Sequence, residues 1–219
     1  MENLDIAGKK ISWDLEASGA TGRLNTNSIE KALKEYKAIL GISENAQHLG
    51  EIITHAYTQN KNLADASRYL VNALFEEYGL VILDADDQRL KKQFASLMYD
   101  DIIQQNSFKY ISLSNKKLEE TGIEPQVNPR EINFFYLKDE LRERIALEDD
   151  SYRVLNTEIR FTEYELKTEI NEHPERFSPN VVMRPLYQQV ILPNLAYIGG
   201  GAEVIYWLQL KQTFDHYAV

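Results

Sequence analysis

A chain of 219 residues, 43% of them hydrophobic, can bury a real core as one large domain or two small ones. The absence of cysteine excludes disulfides, thiol nucleophiles and thiolate metal sites, and it fits a reducing, cytoplasmic setting. A net charge of -10 with no block of Lys or Arg argues against nucleic acid as a partner, and a mean hydropathy of -0.43 without a long apolar run argues against a membrane span.

The opening residues, to about Ser28, read as short strand-like pieces punctuated by glycine. A helix is predicted from Asn27 or Ser28, because Ile29, Leu33, Tyr36 and Leu40 recur at helical spacing and Gly41 closes it. Ser43 caps a second helix carrying Leu49, Ile52, Ile53 and Ala56. Asn62 caps a third, with Leu63, Ala66, Leu70 and Leu74 on one face and Gly79 at its end. "GLVILD" is a continuous apolar run between helices, so Leu80 to Leu83 are predicted to form a strand buried on both faces. Asp84, Asp86 and Asp87 follow it. They read either as groups that hold a ribose or a metal, or as the turn and cap of the next helix, Asp87 to about Gln105. Another helix ends at Gly122.

The pattern then changes. Ile132 to Leu137, Arg144 to Leu147 and Tyr152 to Leu155 are short alternating runs and predict an antiparallel meander, flanked by the turn-forming amides Gln126, Asn128 and Asn133. "FTEYELKTEINEH" returns to helix and stops before Pro174. Pro185 and Pro193 bound "LYQQVIL", Leu195 to Ile198 are predicted to be a second buried strand, and Ala202 to about Tyr217 a helix. Trp207, Leu210, Phe214 and Tyr217 share one face of that helix. The organisation expected is a mostly helical segment with one core strand over 1–122, a small antiparallel insertion over 123–160, and a core strand, glycine turn and C-terminal helix over 161–219.

Gly199, Gly200 and Gly201 fall at the predicted strand-to-helix turn. Backbone N–H groups and the positive end of the helix dipole converge there, so a carboxylate or phosphate could approach closely. Tight packing of strand on helix is the alternative, since the string is neither G-x-G-x-x-G nor a Walker loop. Glu203, on the face of Trp207, either complements the dipole or acts catalytically on a ligand amine or hydroxyl. Arg184 reads as a carboxylate ligand or a structural ion pair. Asn194, Tyr197, Tyr187 and Gln188 are either binding or packing residues, and His55 is either catalytic or an ordinary helical histidine. The four histidines show no H-x-x-x-H spacing, so no metal is expected.

Three strings together resemble one family: "HAYTQNKNLADASRYLVNALFEEYGLVILDADDQRLKKQF", "PQVNPREINFFYL" and "FSPNVVMRPLYQQVILPNLAYIGGGAEVIYWLQLK". They are similar to the cysteine-adding enzymes of bacillithiol biosynthesis, and the resemblance covers nearly the whole chain. It implies an α/β fold: a partial Rossmann-like core of the class I aminoacyl-tRNA synthetase kind, with helical segments and a small antiparallel insertion. It implies a ligase joining L-cysteine to glucosaminyl-malate through an amide, with ATP or ADP as the nucleotide, and a homodimer or a complementing chain. The family's "TGQQ"-like and "EDHDFEE"-like motifs do not occur here, and the family's coiled coil has no counterpart. The expectation is therefore a central fragment that is inactive alone. A non-catalytic binding or assembly module that pairs with another chain is the second expectation.

Overall fold

The computed structural model of the protein describes residues 3–6 and 8–219. It divides into two compact units, Met1–Asp84 and Ala85–Val219.

The first unit opens with an antiparallel hairpin of β1 (Asn3–Ile6) and β2 (Lys9–Ser12). Helices α1 (Glu30–Leu40), α2 (Glu44–Gln59) and α3 (Leu63–Phe75) follow. Local chemistry sets their ends. Gly41 closes α1 with φ 87, a backbone angle that glycine adopts without the Cβ penalty. The Ser43 side chain accepts the Ala46 N–H and the Asn62 side chain accepts the Asp65 N–H, satisfying first-turn donors of α2 and α3. Ile29, Leu33 and Ile53 form a small core, with Trp13, Leu49 and Leu70 packed against it.

The second unit begins with α4 (Gln88–Gln104) and α5 (Asn106–Glu120), separated by Gln105 in the left-handed conformation. Strands β3 (Phe134–Lys138), β4 (Leu141–Glu148), β5 (Ser151–Val154) and β6 (Arg160–Phe161) form the meander. After α6 (Glu163–Glu172), β7 (Phe177–Pro179) joins the other side of β3. The sheet is antiparallel, in the order β6-β5-β4-β3-β7. Helices α7 (Arg184–Ile191) and α8 (Gly201–Tyr217) complete the unit. Phe94, Met98 and Ile102 of α4, Ile111 of α5, Phe134 and Phe177 of the sheet, and Leu166, Leu186 and Leu210 are buried together. Burial of such side chains is worth about 1.5–3 kcal/mol each.

The fold is mixed α/β, but the two predicted core strands are not strands. Leu80, Val81 and Leu83 are 48%, 61% and 40% exposed in a segment without regular structure. Leu195 and Ile198 are 107% and 98% exposed in another. A continuous apolar run signals burial but does not name the partner. A doubly covered parallel strand needs hydrogen-bonded neighbours at both edges. The strands described here pair only with one another, all antiparallel, and leave none for these segments. The glycines accordingly join an irregular segment, not a strand, to α8. The aspartates after Leu83 take the structural role: Asp87 caps α4 by accepting the Arg89 N–H, and Asp86 pairs with Lys91. The Arg89 side chain and backbone hold the Asp87 carboxyl down at about 2.

Candidate anion-binding cavity

The pairing of β3 with β7 decides which residues meet. Phe134 lies opposite Pro179 and Phe135 opposite Ser178, so the chain entering β3 runs beside the chain leaving β7. Arg130 and Asn128 lie on the first, and Asn180 and Arg184 on the second. On the neighbouring strand β4, Arg142 stacks its guanidinium 3.7 Å from the centroid of the Phe135 ring. Between them opens a cavity of about 710 Å³ whose wall includes Arg130, Arg142, Arg184, Gln188, Tyr206 and Trp207.

The three arginines make no ion pair among the described residues, whereas Arg68, Arg89, Arg153 and Arg176 each have a carboxylate partner. Burial, and then the facing charge of Arg184, pushes the Arg142 pKa below the ordinary guanidinium value. Two guanidinium groups thus converge with no carboxylate between them among the described residues. In a chain of net charge -10 that arrangement is not a by-product of composition. The planar guanidinium forks have the geometry that matches carboxylate or phosphate. Tyr206 closes one side: its hydroxyl donates to the Val181 carbonyl, and burial, then the Glu203 charge, raises its pKa to about 12.

Of the residues singled out in the sequence, Arg184, Gln188, Tyr197 and Trp207 line this cavity, as do Asn128 and Pro185; the three glycines, Glu203 and Asn194 do not. Tyr197 stacks on Trp207, with ring centroids 4.3 Å apart, and its hydroxyl donates to Glu203 Oε2 at 2.8 Å. Glu203 therefore touches the wall through Tyr197, whose pKa its carboxylate raises. Asn194 shapes the turn after α7: its N–H donates to Gln189 Oε1 and its Nδ2 to the Leu192 carbonyl. His55 lies in the first unit, stacked on Tyr69 at 4.5 Å. Tyr187 is buried and donates to the Ala85 carbonyl.

The glycines divide by role. A Cβ on Gly199 would lie 2.8 Å from Glu203 Cβ and 3.0 Å from the Tyr197 ring, so this glycine permits close packing. Gly200 and Gly201 have open space where a side chain would stand. The first intrahelical bond of α8 runs from the Val204 N–H to the Gly200 carbonyl, which leaves the amides of Gly201, Ala202 and Glu203 without a helical acceptor. Gly199→Ala is expected to break the Tyr197–Glu203 contact and cost about 1 kcal/mol. Gly201→Ala should raise stability by a few tenths, about 0.5 kcal/mol, because alanine favours helix. Denaturant midpoints and the Trp207 emission of the two variants check this; equal behaviour would contradict the division.

Arg130, Arg142, Asn180 and Tyr206 were not singled out in the sequence: three lie inside the recognisable strings and Arg142 outside them, and nothing local to any of them shows that they meet.

Fold and cavity together define an α/β domain with a cationic pocket. The chain belongs to the bacillithiol biosynthesis BshC family: its residues 1–219 match that family's N-terminal Rossmann-like domain. It is 50% identical over 219 residues to a protein of Flavobacterium psychrophilum named "Putative cysteine ligase BshC", covering 100% of this chain and 41% of that protein. A protein of the same name from Flavobacterium johnsoniae is 50% identical over 211 residues, 96% of this chain and 40% of its own length. One from Lysinibacillus sphaericus is 31% identical over 196 residues, 88% of this chain and 36% of its own length. The chain thus spans about two fifths of the Flavobacterium relatives it matches. No helix among the described residues is long and apolar enough to cross a membrane.

Proposed function

We propose that this chain carries the carboxylate-binding part of a cytoplasmic cysteine ligase that adds L-cysteine to glucosaminyl-malate by forming an amide. The observation that carries the reading is the convergence of Arg130, Arg142 and Arg184 on one cavity with no carboxylate paired to them among the described residues. Both named substrates bear carboxylates. Arg142 and Arg184 grip the malate end, and Trp207 and Tyr197 offer aromatic faces to the sugar. Glu203, held by the Tyr197 hydroxyl, is the group that takes a proton from the attacking amine.

A nucleotide, ATP or ADP, fits the same chemistry. Its phosphates suit the arginines and the free amides of Gly201 and Ala202, where no side chain blocks approach. ATP would supply activation of the cysteine carboxylate as an adenylate, because a free carboxylate is a poor acyl donor. The class I aminoacyl-tRNA synthetase kind of core and a homodimer belong to the same reading.

Titration calorimetry of the chain with malate, L-cysteine and ATP tests it. Binding of malate that weakens with salt is expected; no heat with any of the three overturns the site. A second reading, a module that assembles with another chain, is favoured by the bare side chains of Leu195 and Ile198. Sedimentation decides there: a monomer at all concentrations removes the self-assembling form.

A further inference from the structure

The stretch from Pro125 to Arg130 brings Val127, Asn128 and Arg130 to the cavity, yet it has no regular secondary structure. Two buried amide side chains do for it what a sheet would do. Gln209 of α8, with no exposed surface, accepts the N–H groups of Gln126 at 2.8 Å and Val127 at 3.3 Å. Its Nε2 donates to the Val127 carbonyl at 2.9 Å and also to Asn115 Oδ1. Asn133, equally buried, accepts the Arg130 N–H at 3.0 Å and donates to the Arg130 carbonyl at 2.7 Å. The same side chain reaches the other wall: Oδ1 accepts Asn180 Nδ2 at 3.0 Å, while the Asn133 carbonyl accepts the Asn180 N–H at 2.9 Å.

Below, Asn133 Nδ2 donates to Ser107 Oγ at 2.8 Å. Ser107 in turn gives its N–H and hydroxyl to the two oxygens of Asp101, at 2.6 and 2.8 Å. Every link lies inside the second unit, and Asp101, Ser107 and Asn133 are each fully buried. A buried amide stripped of one partner costs about 1–3 kcal/mol, so a chain this complete fixes one loop geometry and disfavours the rest.

We infer that Asn133 and Gln209 are positioning residues: they lock the Gln126–Arg130 loop and the Asn180 wall so that Arg130 faces Arg142 and Arg184 across the cavity. Neither amide lines the cavity, so neither is a ligand group. The inference rests on the anion-site reading for its purpose, but the locking itself is measurable without any ligand.

The experiment pairs two readouts on Asn133→Ala, Asn133→Asp and Gln209→Met. Amide hydrogen exchange follows the Val127 and Arg130 N–H groups against core amides of α4. Calorimetry follows malate. Asn133→Ala should release the Arg130 amide to near-solvent exchange, and Gln209→Met the Val127 amide, with α4 still protected. Asn133→Asp keeps the Oδ1 acceptor but loses the Nδ2 donor to the Arg130 carbonyl and Ser107, so it should retain only part of the Arg130 protection. Malate affinity should fall about tenfold in the alanine variant and recover in part in the aspartate variant. Unchanged Arg130 and Val127 protection in both alanine and methionine variants overturns the inference, as does lost protection with undiminished malate affinity. If the wild type binds no malate, the anion-site reading fails and exchange alone decides the locking. If Asn133→Ala does not fold, Ser107→Ala, which removes the hydroxyl that links Asn133 to Asp101, replaces it with the same expected release at Arg130.

Discussion

Arg184→Gln is expected to weaken malate binding about tenfold without lowering the stability of the protein. Among the described residues no carboxylate pairs with this guanidinium, and its charge opposes that of Arg142. Removing it takes away repulsion in the unliganded state and an ionic hydrogen bond in the liganded one. A hydrogen bond to a charged group is worth about 1.5–3 kcal/mol, reduced here because the cavity is open to water. Combining Arg184→Gln with Arg142→Gln should bring the loss to about a hundredfold, since both forks grip one ligand. Lysine at position 184 should restore charge but only part of the affinity, because an ammonium cannot make the bidentate contact. Calorimetry at two salt concentrations and a denaturant titration measure both effects. A variant that lost stability in proportion to affinity would mark Arg184 as a structural residue and remove it from the site.

The second large effect is a dependence of stability on pH that originates in Asp101. Burial raises its carboxyl from 3.8 to about 6, against the hydrogen bonds from Ser107 and Tyr217 that lower it, and Asp100 adds to the rise. The folded protein therefore holds this proton more tightly than the unfolded chain does. The stabilisation is fully present below about pH 4, is lost as pH rises from there to about 6, and stays lost above it. A shift of this size corresponds to roughly 3 kcal/mol across the window. The carboxyls of Asp87, Glu165 and Glu169 are lowered, so their opposite effect falls at more acidic pH. Between pH 5 and 6 Asp101 is left to set the sign, and the denaturant midpoint should drop as pH rises. Asp101→Asn should flatten that slope. A slope that persists in the variant would assign it to another group. Tyr217, whose hydroxyl meets Asp100 and Asp101, is pushed well above the ordinary tyrosine value by burial and stays a donor throughout.

The resemblance and the structure read different layers of the same chain. The long strings carried the family, and the family model matches over the full length. They did not carry the cavity. Arg184, Tyr197 and Trp207 were singled out in the recognisable C-terminal string, while Arg130, inside another such string, and Arg142, outside all three, were not. The glycine string drew attention for its chemistry, yet Gly199 serves packing and the cavity wall begins at the aromatic residues beside it.

Sequence alone fixed what depends on near neighbours. Ser43, Asn62 and Asp87 cap helices because a short polar side chain reaches amides two or three residues on, wherever the rest of the chain goes. The meander was legible because alternation has a period of two and its turns are short. Tertiary structure decided the rest. Whether "LVIL" and "LAYI" become strands depends on hydrogen-bonding partners that no property of those residues specifies. Whether Arg130, Arg142 and Arg184 form one site depends on the register of β3 with its two neighbours, a long-range pairing held by Asn133 and Asn180.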